Sequence, residues 1–257
     1  MDVSMVLGRR TEIKTFDFNL SGIVEMYSEI QEAQKEVGGD FCYRAKVATG
    51  GGKAFDIVTG DEETDTSTTT LTGVILHNHA CNAWFDEESN GNSPPICSSM
   101  DGITGINAVS GECCSCDGCP QNEYGSSLKG EGKACKNMHR LYLLTEGSPV
   151  PMILTLPPTS MRNFKNYRLG TLAVNKLKPH EVVTEMTLSP QVSKSGQKYS
   201  VVKFKMLGKL ADADKNISAT MSLALKPTVE VNGEDYNRTN MEVLSDGNSE
   251  NAENAEQ

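Results

Sequence analysis

Apolar and polar positions recur with two different periods along this chain, and the switches between them mark out most of the elements. Ile13 to Asn19, with Ile13, Phe16 and Phe18 as apolar members, predicts a short first strand. Ser21 then offers an N-cap, and Ile23, Met26, Tyr27, Ile30 and Ala33 recur at helical spacing. That pattern predicts an amphipathic helix to about Lys35, stopped by Gly38 and Gly39. The period next falls to two. Phe41, Tyr43, Ala45 and Val47 alternate with Arg44 and Lys46, and Gly50 to Gly52 turn the chain into a second strand, Ala54 to Val58. The acidic, Thr-rich stretch Gly60 to Thr70 reads as an exposed loop, and Leu71 to His77 as a further strand.

A polar loop, Asp86 to Pro95, opens a Gly-, Ser- and Asn-rich region with few large apolar residues. Strand patterning returns at Arg140 to Leu144 and Met152 to Leu156, with a hairpin turn at Gly147 to Pro149. After Pro157 and Pro158, Thr159 or Ser160 caps a predicted helix, Met161 to Leu169, ended by Gly170. Two long strands follow, Val182 to Leu188 and Tyr199 to Leu207, joined through Ser195 and Gly196. In the second, Val202, Phe204 and Met206 share one face, and Lys203 and Lys205 share the other. Ser218 to Leu225 reads as a last strand. Beyond Leu244 the chain holds only acidic, polar and small residues, the composition of a disordered tail.

These elements predict a mainly β, α+β fold: an OB-fold-like β-barrel with a zinc-binding insertion and a few short helices. Residues 1–244 form a single domain in this reading, 86–139 its insertion, and 245–257 a disordered acidic tail. The length of 257 residues suits one large domain or two small ones.

Composition alters the picture at the cysteines. The N-terminal stretch carries no apolar signal core, and nothing approaches the roughly 18 consecutive apolar residues of a membrane helix. The expectation is a chain in a cytoplasm, without membrane contact, where thiols stay reduced. Six of its eight cysteines are Cys97, Cys113, Cys114, Cys116, Cys119 and Cys135, a cluster that reads as metal-binding rather than disulfide-forming. Cys116-Asp-Gly-Cys119 can aim two thiolates at one tetrahedral ion, and Cys97 and Cys135 complete a four-thiolate set. Cys113 and Cys116 form a second C-x2-C pair, and His77, His79, Cys81 and His139 are further candidates. Four thiolates close the shell, so the expected Zn2+ is structural; an iron–sulfur cluster is the other metal reading. An unstable polar insertion needs such an ion to order it.

The net charge of -10 divides unevenly. Pro120 to Leu210 holds 14 Lys and Arg against 5 Asp and Glu, while the remainder holds 10 against 29. A basic block inside an acidic chain is compatible with a polyanion partner, because local potential governs the contact; clustered solvated lysines are the plain alternative. The cations Lys129, Lys133, Lys136, Arg140, Arg162, Lys165, Arg168, Lys203 and Lys205 are interleaved with Tyr124, Tyr142, Tyr167 and Tyr199. Phosphate neutralisation beside stacking rings is the chemistry of single-strand binding, although Tyr142, Phe164, Tyr167 and Phe204 also suit a core. No phosphate-binding glycine loop, nucleophile elbow or spaced acidic constellation appears, so enzymatic chemistry is not expected.

Several motifs carry a resemblance. Cys116-x-x-Cys119-Pro-x-Asn122-x-x-Gly125-Ser126 is followed by Gly130-x-Gly132-Lys133-x-Cys135-Lys136, then Arg140-Leu-Tyr, then Leu156-Pro-Pro-Thr-Ser160 with Phe164 and Tyr167. Over about Pro94 to Leu210 this resembles zinc-bearing single-stranded DNA-binding proteins of phages and mobile elements. The resemblance implies an OB-like fold, non-specific binding of single-stranded DNA, and a role in DNA replication or recombination. The acidic C-terminal tail would then recruit replication or recombination proteins. The alternative is a zinc-stabilised protein–protein interaction module directed at a host or phage factor.

Overall fold

A computed structural model describes residues 13–18, 20, 22–37, 42–59, 64–86, 94–128, 130–194 and 196–229. The expected N-cap Ser21, the stop signal Gly38 and Gly39, the cation Lys129 and the acidic tail lie outside those residues. The protein is mainly β, an α+β fold built on one mixed, barrel-like sheet of eleven strands.

The first helix, α1 (Ile23–Val37), precedes the hairpin β1 (Tyr43–Val47) and β2 (Phe55–Val58). Short β3 (Thr66–Thr68) lies in the stretch expected to be loop, and β4 (Thr70–Trp84) is the longest strand. The cysteine region contributes β5 (Cys97–Ser99), β6 (Thr104–Asn107) and β7 (Cys113–Ser115). Then come β8 (Cys135–Thr145), β9 (Met152–Leu156), α2 (Met161–Asn166), β10 (Val182–Val192), β11 (Lys198–Lys209) and α3 (Asp212–Val229).

β4 organises the sheet. One edge pairs antiparallel with β8, from Gly73↔Thr145 to Trp84↔Cys135. Its other edge forks. The first half, at Thr70 to Val74, pairs with β10, and the last three residues, Asn82 to Trp84, pair with β5. Only a residue without a side chain fits at Gly73, where a Cβ would stand 2.6 Å from the Leu144 carbonyl oxygen. The strand order runs β3-β2-β1-β9-β8-β4-β5-β6-β7, with β10 and β11 branching from β4, and β1 pairs β9 in parallel. The sheet curls until the β1–β2 turn meets β11, where Ser200 Oγ donates to the Gly52 carbonyl at 2.7 Å.

Alternation along each strand divides two cores. Leu141 and Leu143 of β8 join Phe164, Tyr167, Met186 and Val202 beneath α2. Tyr142 and Leu144 point the other way and join Tyr27, Met221 and Leu225 beneath α1 and α3. The predicted faces of β11 are present: Val202 is buried, Phe204 and Met206 pack on the first core, and Lys203 and Lys205 are exposed.

Four expectations are corrected. Of the predicted strand Ile13 to Asn19, the described residues 13–18 form an isolated bridge, Thr15↔Lys209, and Phe18 anchors the second core. Ser218 to Leu225 is helical, part of α3, because Ile217, Met221 and Leu225 recur at helical spacing onto that core. Gly170 does not stop α2: the chain continues as a wide turn, Tyr167–Leu172, and then a tight one, Ala173–Asn175. Ser160 does not cap the helix with its side chain; its Oγ accepts the buried Val202 amide at 2.9 Å, tying α2 to β11. Among the described residues no helix is long and apolar enough to cross a membrane.

Candidate metal centre and cation-rich surface

The cysteine region hangs from the end of β4 and β8, where Trp84 pairs with both Cys135 and Cys97. β5, β6 and β7 extend the sheet there as a three-stranded meander. The chain then turns through Gly118, whose φ of 71° suits a residue without a side chain, and a tight turn at Pro120–Asn122. The Cys116 amide donates to the Ile103 carbonyl at 2.7 Å, and Asn122 Nδ2 donates to the Cys116 carbonyl at 2.9 Å. These bonds hold the knuckle against β6.

Cys97, Cys113, Cys114, Cys116, Cys119 and Cys135 all line one pocket of about 180 Å3, walled by Asn82, Trp84 and Asn122. The four sequence-assigned ligands therefore border the same pocket. Cys116 and Cys135 are buried, Cys97 is half-buried, and Cys97 Sγ stands 3.7 Å from Cys114 Sγ. Burial, and then the neighbouring Cys114, Cys116 and Cys135 thiols, push the Cys97 thiol up to about 12. Burial and the Cys116 and Cys119 thiols push Cys135 up to about 12, while Lys133 and Lys136 pull it down. Such a cluster resists ionisation without a cation among the sulfurs. Among the described residues, no group of three or more His, Cys, Asp or Glu is already arranged to hold a metal ion. A Zn2+ there would require the sulfurs to draw inward around it.

The histidine alternatives fall elsewhere. His77 and His79 lie on the other face of β4, stacked 5.9 Å apart and beside Tyr142. Cys81 is sealed against Ala83, Phe85 and Met138. His139 Nε2 bonds Asn78 Oδ1 at 3.0 Å, and Arg168 donates to the same oxygen at 2.9 Å. Burial, followed by the charges of His79, Arg168 and His77, lowers His139 to about 4.

The proposed nucleic-acid residues divide into three groups. Arg140, Tyr142 and Tyr167 are buried at 1%, 3% and 4% exposure, which removes them from any surface on which a base stacks. Tyr167 instead bonds Thr184 Oγ1 at 2.7 Å and stacks on Phe204. Lys203, Lys205 and the half-buried Tyr199 sit on the face of β11 turned away from α2, where Lys205 pairs with Glu185 at 3.3 Å. The other described members lie toward the α2 face or the cysteine pocket. Arg162 and Lys165 are exposed on α2, and Arg168 reaches β4 through Asn78. Tyr124 is 82% exposed, and Lys133 Nζ lies 5.1 Å from its ring centre. Lys133 also donates to Asn122 Oδ1 at 3.2 Å, and Lys136 Nζ to the Lys133 carbonyl at 2.9 Å.

Sequence reasoning missed Cys114 as a neighbour of Cys97; the adjacent Cys113-Cys114 pair within a strand was the available signal, since alternation aims its two members oppositely. Comparison with protein-family models, with curated proteins and with solved structures finds no match.

Proposed function

We propose that the protein is a non-enzymatic single-strand binder, acting on single-stranded DNA of a phage or mobile element during replication or recombination, with a Zn2+-clamped loop presenting part of its contact surface. The reading rests chiefly on the exposed Tyr124 ring with the Lys133 ammonium beside it. A ring open for stacking next to a cation able to meet phosphate is the smallest unit of sequence-independent single-strand recognition. Arg162, Lys165 and Arg168 extend the cationic surface toward α2, across the half-buried Asn78, Asn137 and His139 of the intervening strands. The zinc is taken as structural because six cysteines and no histidine line its pocket, enough thiols to close a four-ligand shell without the Glu112 carboxylate that also borders it. Its role is to order a polar loop that lacks a core of its own.

Fluorescence anisotropy with a labelled oligo-dT tests the proposal. Affinity should fall steeply as salt rises, and no binding below about 10 µM at low salt would refute it.

A second reading has its own support. Ile103, Ile106, Val109 and Leu128 of the same region are exposed, Val109 by 90% and Leu128 by 76%. Such apolar exposure favours docking of a protein by the clamped module. A partner retained after nuclease treatment, and lost on Val109→Asp, would support that reading over the first.

A further inference from the structure

The middle strand of the cysteine meander carries Gly105, which is buried and has an ordinary strand conformation. Its lack of a side chain is therefore a matter of space. A Cβ there would stand 2.8 Å from Cys97 Sγ and 3.0 Å from Cys114 Sγ, so the first sulfur would have to shift and the second to give by a few tenths of an ångström. Gly105 pairs directly with Cys114 of β7, and Cys97 of β5 lies diagonally across its other edge. The two thiols lean over the glycine from opposite sides and meet at 3.7 Å.

That separation has a chemical meaning. Four sulfurs at about 2.3 Å from a tetrahedral Zn2+ lie about 3.8 Å from one another. A disulfide is the competing outcome for two close thiols, and the strand geometry opposes it. Strands two apart place their Cα atoms roughly 9 Å apart, beyond the roughly 7 Å limit for a bridge without backbone movement. The gap admits an ion between the sulfurs more readily than a bond.

We infer that Cys114 is a ligand of the metal clamp, so that Cys97, Cys114, Cys116 and Cys135 hold the ion and Cys119 stands outside the shell. This assignment rests on the metal reading of the pocket and changes one of its four ligands. Cys97 and Cys114 form the pre-set edge of the tetrahedron over Gly105. Cys116 is buried and held to β6 through the Ile103 carbonyl, and Cys135 is buried at the start of β8. Cys119 begins the tight turn at Pro120–Asn122, its carbonyl accepting the Asn122 amide at 2.9 Å. Its thiol is half-buried at the same pocket and Cys114 is exposed, so the choice of Cys114 over Cys119 rests on the 3.7 Å Cys97–Cys114 contact.

The 257-residue chain itself supplies the test. The metal-free protein is loaded with Zn2+, the metal content measured, and the thiols alkylated with iodoacetamide and located by peptide mass spectrometry. Zn2+ should protect Cys97, Cys114, Cys116 and Cys135, leaving Cys113 and Cys119 as reactive as in the metal-free chain. Protection of Cys119 with free alkylation of Cys114 overturns the assignment while leaving the clamp intact. Failure to take up Zn2+ overturns the clamp and the assignment together, so the two failures are distinct. Titration with Co2+, followed by its sulfur charge-transfer absorption, provides a second readout. Cys114→Ser should lose one thiolate's share of that absorption and weaken binding by more than about 100-fold, beyond the 10–100-fold typical of groups behind the ligands. Cys119→Ser should keep the full absorption. Gly105→Ala removes no thiol and should still weaken Co2+ binding by forcing the two sulfurs apart; unchanged affinity in that variant also counts against the assignment.

Discussion

At the residue scale, exposure decides which aromatic and titratable side chains are available. Tyr124 and Tyr142 are the same residue type in the same basic block, yet only Tyr124 faces solvent. Removing a stacking ring costs about 1–3 kcal/mol per base, so Tyr124→Ala should weaken oligo-dT binding by about 5–150-fold in anisotropy titrations. Tyr142→Phe should leave binding unchanged. His139 carries a pH prediction. Its folded value of about 4 lies below the ordinary 6.5, so the unfolded chain binds more protons between those values. Its contribution to stability is complete above about 6.5 and is lost as pH falls toward 4. Urea midpoints at pH 7 and pH 5 should therefore differ more for the native chain than for His139→Gln. An equal difference in the two would refute the assigned cause.

At the element scale, the joins between elements matter more than their propensities. α2 is six residues long, too short to persist alone, and it stays in place because Phe164 packs on Phe204 and Ser160 accepts the Val202 amide. Ser160→Ala leaves that buried amide without its partner, which costs about 1–3 kcal/mol. A urea melt with no shift in midpoint would show that another group takes the amide. Several elements were legible from periodicity. The first helix, the β1–β2 and β8–β9 hairpins and the long pair β10–β11 have strict apolar spacing and clear turn residues. α3 was missed because Ser218 to Leu225 alternates small and large residues closely enough to imitate a strand. β4 was cut short at His77 because a polar run, His77 to His79, interrupts its apolar pattern. In the folded chain those side chains find partners on both faces of the sheet: Asn78 on His139 and Arg168, His79 on Tyr142.

At the scale of the whole molecule, the cysteine meander is an appendage on a well-packed sheet. Its strands have three or four residues each, and its large apolar side chains are largely exposed. The remainder has two cores of its own. Chelation should thus melt the module and spare the body. Hydrogen exchange after zinc removal should lose protection at Cys97–Ser99 and Cys113–Ser115 and retain it at Met152–Leu156 and Val182–Val192. Full protection throughout would mean that the meander needs no ion.

The sequence by itself determined the mainly β character, most hairpins and the convergence of cysteines on one segment. Those depend on local periods, turn residues and spacing, which are written in adjacent positions. Tertiary structure alone decided which cations share a face, which tyrosines are sealed inside, and that Cys97 reaches Cys114 across Gly105. Each of those depends on pairing between residues far apart in the chain, where a shift of one position turns a side chain to the opposite face.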